Sequence, residues 1–346
     1  MFGRLLRFET KGTSLQLESS NMELFVKQEL MKTLPSLDAI LLDVDGVILD
    51  VSQSFRVVAA EVTQLYAERW LNLDNDGPLF QPSECELFKH AGGFNNDWDL
   101  TNAVVALALA QKCKNPDVTT TSQLREQCDW SGYTTEIKRR GGGMVVAENY
   151  VVDLLTPHQR RDFAIAWNPR LVTQLFQEMY AGDSACRELY GFAPEYVHGD
   201  GYMDKEPVLI DADLLPQKAR PGVLTGRTKA ETHIALRRAN LLNRVPENTW
   251  VTEDDGVRKP DPAALDLLRE RMSFKNGIYV GDTIDDLRVV QNFRESNATG
   301  KARVFSCLVL TGPAGAANRR AFLEAGAEIV APDVNTVLQF LGGMLK

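Results

Sequence analysis

A short apolar run bounded by acids, D-A-I-L-L-D at residues 38–43, does most to limit what this chain can become. A run with nothing to turn toward water forms a strand buried on both faces, and such strands belong to parallel sheets covered by helices. The strand-then-helix rhythm that it starts resumes only after residue 218. Residues 219–225 read A-R-P-G-V-L-T ahead of a helical pattern at 229–242, and 277–281 read G-I-Y-V-G ahead of another at 285–293. Later strands are expected at 304–311 and 328–330. Alternation of this kind predicts an α/β fold with a doubly wound parallel sheet.

The two parts of that core, 37–52 and 216–346, are separated by residues 53–215, which carry long helical patterns at 55–71, 98–112 and 168–180 and few strand-like runs. A helical domain inserted into the α/β core is therefore expected. Within it, K-R-R-G-G-G at 138–143 predicts a mobile loop. Residues 1–36 read as an extension to the core: strands at 4–10 and 13–18 joined at Lys11-Gly12, then a capping box from Ser20 to Glu23. A helix is expected over 22–34, with Met22, Phe25, Val26, Leu30 and Leu34 at helical spacing.

With 346 residues, 44% of them apolar, the chain is long enough for one large domain or two medium ones. Its net charge of −9 repels a polyphosphate backbone or an anionic membrane, so neither nucleic acid nor a membrane is an expected partner. Charges interrupt the apolar residues of M-F-G-R-L-L-R-F-E before a signal-peptide core can form, which points to the cytoplasm. Five widely spaced cysteines (Cys85, Cys113, Cys128, Cys186, Cys307) contain no C-x-x-C pair. They read as reduced, mostly buried thiols. His90, His158, His198 and His233 show no metal-ligand spacing.

Ligands of open parallel sheets bind where strands end. Directly after the first predicted core strand comes D-V-D-G-V at 43–47, where Asp43 and Asp45 stand two positions apart at a tight turn with Gly46. Two carboxylates so placed can serve as nucleophile and proton donor, or merely form a turn. A calcium loop starting at Asp43 is excluded, since its sixth and twelfth positions are Ile48 and Ser54 rather than Gly and Glu. Thr225 and Gly226 end the next strand, where a hydroxyl and unpaired backbone N–H groups can hold an anion; the bland alternative is N-capping by Thr225 or Thr228. Lys259 stands in R-K-P-D-P, where Pro260 fixes the backbone ahead of a helix near Ala263. In G-D-T-I-D-D at 281–286, Asp282 at a strand tip and Asp286 in the first helical turn could converge with Asp43 on one hard cation, or simply complement the helix N-terminus.

Together and in this order, D-V-D-G-V, the Thr of L-T-G-R, the Lys of K-P-D-P and G-D-T-I-D-D resemble the haloacid dehalogenase-like (HAD) hydrolase superfamily. The insertion after the first motif resembles its branch with a helical cap. The resemblance spans residues 37–346 and implies that Asp43 attacks phosphorus to form an aspartyl-phosphate. It implies Mg²⁺ held by the Asp43 side chain, the Asp45 carbonyl and Asp282, with Asp286 in the outer shell. Thr225 and Lys259 would hold the phosphoryl oxygens, and Asp45 would protonate the leaving oxygen. Dehalogenating members lack an acid at the Asp45 position, so the phosphatase and phosphomutase branches are the better match.

The expected activity is Mg²⁺-dependent hydrolysis of a small phosphorylated metabolite, with a sugar phosphomutase or a non-catalytic binding protein as alternatives. In the cap, Asn95, Asn96 and Asp97 of G-G-F-N-N-D-W could bind hydroxyl groups beside Trp98, or Asn96 or Asp97 could cap a helix. Arg227 and Arg56 could bind a second anionic group or form salt bridges.

Overall fold

The computed structural model describes residues 8–11, 14–19, 22–94, 96–296, 302–312 and 315–345. The chain forms two compact units, Met1–Ser52 with Pro207–Lys346 and Gln53–Glu206.

In the first unit the described strands are β1 (Phe8–Lys11), β2 (Ser14–Ser19), β3 (Met22–Lys27), β4 (Ala39–Leu42), β5 (Arg220–Leu224), β6 (Trp250–Val251), β7 (Asn276–Gly281), β8 (Arg303–Val309) and β9 (Ile329–Ala331). They make one sheet in the order β1-β2-β3-β9-β8-β7-β4-β5-β6. Neighbours from β9 to β6 run parallel, while β1, β2 and β3 are antiparallel to one another and β3 is antiparallel to β9.

Every residue of β4 is fully buried, which is why its sequence shows no polar alternation. Ile40 and Leu42 join a cluster with Val223, Leu236 and Leu338, beneath the helices Lys229–Arg238 and Val334–Met344. Ala39 and Leu41 face the opposite layer with Leu268, Val290 and Phe293, from the helices Ala263–Met272 and Ile284–Ser296. Each fully buried Leu or Ile contributes about 1.5–3 kcal/mol. The doubly wound sheet is thus a consequence of strands that need cover on both sides.

From β4 the chain first builds β5 and β6 on one side, then crosses to build β7, β8 and β9 on the other. Strand order therefore reverses at β4, and a reversal opens a crevice at the carboxyl ends of the flanking strands.

Two expectations for this unit are corrected. Residues 22–34 do not form a helix: 22–27 are strand β3, followed by short 3₁₀ turns at Gln28–Lys32 and Leu34–Ser36. Phe25 pairs with Val330 and Val26 with Ile329, so sheet pairing overrides the helical spacing. The inserted unit also ends at Glu206 rather than at 215. Leu209 N donates to Ile48 O at 2.9 Å, Asn335 Nδ2 donates to Leu209 O at 2.8 Å, and Ile210 and Leu215 lie in the α/β core.

The second unit is helical, with long helices at Phe55–Trp70, Asp97–Lys114 and Pro169–Tyr190. The predicted end at 180 lies beside a break at Gly182 (φ 64°), beyond which the helix continues to Tyr190. Of the loop expected at 138–143, residues 138 and 139 finish a helix and 140–143 form the turn after it. Trp130–Arg139 is helical, Gly142 N donates to Ile137 O and Gly143 N to Gly92 O, both at 2.9 Å. Among the described residues, no helix is long and apolar enough to cross a membrane.

Candidate active site

Strand β4 delivers Asp43 to the crevice. Its N–H donates to Val280 O at 2.9 Å, continuing the ladder with β7, and its Oδ1 accepts Val44 N–H at 2.8 Å. The chain then turns sharply: Val44 O accepts from Ile48 N and Leu49 N, and Gly46 takes a left-handed φ of 69° that favours glycine. Asp43 is consequently buried, while the Asp45 side chain remains partly open to solvent.

Strand β7 delivers the second acidic motif. Asp282 follows its last residue, and Asp286 lies in the first turn of the helix Ile284–Ser296. Asp286 Oδ2 accepts from Asp282 N (3.1 Å), Thr283 N (2.9 Å) and Thr283 Oγ1 (2.6 Å). These donors belong to a helix start, where a carboxylate is favoured. Asp286 Oδ1 lies 2.9 Å from the Tyr279 hydroxyl and 2.7 Å from Lys259 Nζ. The same ammonium lies 2.7 Å from Asp43 Oδ2, so Lys259 joins the two acidic motifs.

At the end of β5, Thr225 N donates to Val251 O at 3.0 Å and Thr225 Oγ1 accepts Arg227 N–H at 3.2 Å. The helix Lys229–Arg238 is capped by Thr228, in a capping box with Glu231, which leaves Thr225 outside that duty. A Cβ at Gly226 would meet nothing within 4 Å. Arg227 has a side chain only 2% exposed, and its Nε donates to Asp45 Oδ1 at 2.6 Å. Of the two roles the sequence offers Arg227, binding a second anionic group or forming a salt bridge, this contact is the salt bridge.

Burial pushes the Asp43 carboxyl up to about 7, against the pull of Lys259, with Asp286 and Asp45 adding to the rise. Burial, then Asp286 and Asp43, push Asp282 well above the ordinary carboxylate range. For Asp286 burial also works upward, but Lys259, Thr283 and Tyr279 outweigh it and hold the group low. Burial opposes the charge on Lys259, yet Asp286 and Asp43 keep the ammonium protonated well above its usual range. One lysine does not balance this many acids in a place with little water.

Asp43, Asp282 and Asp286 each offer an oxygen within 4.8 Å of the others, and they are the metal-type cluster found among the described residues. An all-oxygen, carboxylate-rich set suits a small hard cation such as Mg²⁺ and is poor for softer metals. The excess negative charge is what such an ion would offset, so residues and ion fit.

Residues proposed from the cap sequence are occupied within their own unit. Asn95 lies outside the described residues. Asn96 caps the helix Asp97–Lys114, its Oδ1 accepting Asp99 N–H at 2.7 Å; Asp97 pairs with Lys89 at 2.9 Å, and Trp98 packs edge-on against Phe176. Arg56 forms a salt bridge with Glu86 at 2.6 Å. Sequence reasoning missed Tyr279 and Thr283, which both hold Asp286. A signal for Tyr279 existed, because a tyrosine within a buried strand needs a partner for its hydroxyl.

A family model described as haloacid dehalogenase-like hydrolase matches residues 37–293. Among solved structures, the chain is similar to an X-ray structure of a Northeast Structural Genomics Consortium target, at 17% identity and a TM-score of 0.60, over 89% of this chain and 99% of that one. It is also similar to phosphatase Tt82 from Thermococcus thioreducens, at 22% identity and a TM-score of 0.54, over 77% of this chain and 90% of that one. At such identities the likeness speaks for the fold. No curated protein sequence matches this one.

Proposed function

The chain belongs to the haloacid dehalogenase-like hydrolases, and from that premise we propose that it is a Mg²⁺-dependent phosphatase of small, soluble phosphomonoesters. The observation that carries this reading is the Lys259 ammonium, 2.7 Å from both Asp43 and Asp286, with the Asp282 carboxylate in the same cluster. A carboxylate nucleophile, a buried cation and several acids at one sheet edge are the parts that phosphoryl transfer requires.

In this reading Asp43 attacks phosphorus. The new bond joins a carboxylate oxygen to phosphorus as the ester P–O bond breaks, and the leaving oxygen takes a proton from Asp45. Arg227 engages Asp45 Oδ1, so Oδ2 is the oxygen that carries that proton. Water then attacks the aspartyl-phosphate, giving its proton to Asp45 and releasing phosphate and the free Asp43 carboxylate. Lys259 and Thr225 hold the phosphoryl oxygens; because Thr225 Oγ1 accepts from Arg227 N, its own hydroxyl hydrogen points its donation elsewhere. Mg²⁺, bound by Asp43, Asp282 and the Asp45 carbonyl with Asp286 in support, would neutralise charge between the ester and the acids.

Asp45 favours phosphoesters over carbon–halogen bonds, since an alkoxide leaving group needs a proton and a halide does not. The test is phosphate release from a panel of phosphomonoesters in the presence of Mg²⁺, with Asp43→Asn as control. The account expects release that a chelator and the variant both abolish. Undiminished release by Asp43→Asn, accumulation of an isomer in place of phosphate, or inertness toward the whole panel would each contradict it.

A further inference from the structure

Strand β8 contributes none of the site residues described above, yet Thr311 and Gly312, just beyond its end, lie against the acidic cluster. Thr311 Oγ1 donates a hydrogen bond to Gly46 O, tying this loop to the turn that carries Asp45. Beside it, a Cβ at Gly312 would fall far inside van der Waals contact with Asp282 Oδ2. A Cβ at Gly46 would strike the same oxygen from its own position. The Asp282 carboxylate therefore lies where two glycine backbones meet it, and a side chain at either place would displace it.

The two glycines differ in why they must be glycine. Gly46 has a left-handed φ, so its conformation alone explains it. Gly312 does not lie in that region, and other residues could adopt its backbone. What a Cβ there would push aside is the Asp282 carboxylate.

We propose that Thr311 and Gly312 are positioning residues for the cation site: Gly312 gives the Asp282 carboxylate its place, and Thr311 fixes the turn that presents the Asp45 carbonyl. The inference rests on the Mg²⁺ reading of the cluster. Groups that orient a metal ligand commonly change affinity about 10–100-fold when altered.

Mn²⁺ serves as the probe, its binding to the full chain read by electron paramagnetic resonance without any substrate. Wild type is expected to bind and Asp282→Asn to lose binding. Gly312→Ala should weaken binding about tenfold or more, Thr311→Val by a few fold, and Thr311→Ser should restore wild-type affinity. Unfolding curves without metal identify any variant that fails to fold; should Gly312→Ala be one, the Val and Ser variants at 311 decide the matter. Wild-type affinity in both Gly312→Ala and Thr311→Val overturns the proposal while leaving the cation site intact. Absence of Mn²⁺ binding by wild type sinks the cation reading and this inference together.

Discussion

Both units bury carboxylates, and they treat them in opposite ways. In the helical unit Glu178 is fully buried, and its oxygens accept the N–H groups of Glu195, Tyr196 and Val197 at 3.0, 2.8 and 2.9 Å and the Gln174 amide at 2.8 Å. Donors from nearby in the chain surround this charge, and its effect is to pin residues 195–197 to a helix. In the α/β unit Asp286 also collects donors, but Asp43 and Asp282 crowd against it around a single Lys259. A buried charge ringed by donors is architecture, whereas charges left facing one another store an electrostatic demand that a ligand can meet.

That contrast breaks most readily at Asp43. Asp43→Asn should lower turnover by about 10³-fold or more while the fold persists, because Lys259 keeps Asp286 as its partner. Steady-state kinetics beside a thermal melt would check both halves; a collapsed fold would place Asp43 on the architectural side.

Arg227 sharpens the comparison next. If it orients Asp45, Arg227→Ala should cut kcat by up to about 10²-fold with KM little changed, and Arg227→Lys should recover only part of the loss. Were Arg227 to bind a substrate anion instead, KM would rise and kcat would be spared.

Glu178→Ala is the matching change in the helical unit. It removes the acceptor of three part-buried N–H groups and leaves a cavity where a fully buried side chain stood, and the expected cost is about 3 kcal/mol of stability by denaturant titration. A loss under about 0.5 kcal/mol, the size of an ordinary surface substitution, would mean the carboxylate is not a structural pin.

The smallest effect belongs to Asn96. As a helix cap, Asn96→Ala should lower stability by about 1 kcal/mol and leave KM alone. Unchanged stability with a raised KM would return this residue to substrate binding.

How far the sequence could be read follows from how local each determinant is. Strand β4 and its following acids are legible because burial on both faces writes a continuous apolar run, and a strand end is where ligands approach. Residues 22–27 satisfy two periods at once: Leu24 and Val26 alternate into the core, while Met22, Phe25 and Val26 also match a helix. The choice is made by pairing with Val330 and Ile329, some three hundred positions away. Strand β6 is two residues long, too short for any period to show. The segment after Glu206 owes its place to Asn335 and Ile48, which no local pattern announces. Arg227 reaches Asp45 across 182 positions, so its burial was invisible beside the ordinary expectation of an exposed arginine. Gly312 reads as turn punctuation until the neighbouring oxygen is known.

The proposed covalent step at Asp43 is the part of the account open to the most direct measurement. The protein would be mixed with p-nitrophenyl phosphate and Mg²⁺, quenched in acid during turnover, and its peptides mapped by mass spectrometry for a phosphoryl group. The account predicts the group on Asp43, absent when the ion is chelated and absent in Asp43→Asn. Sustained turnover with no phosphoryl group on Asp43, or with the group carried by another residue, would contradict it.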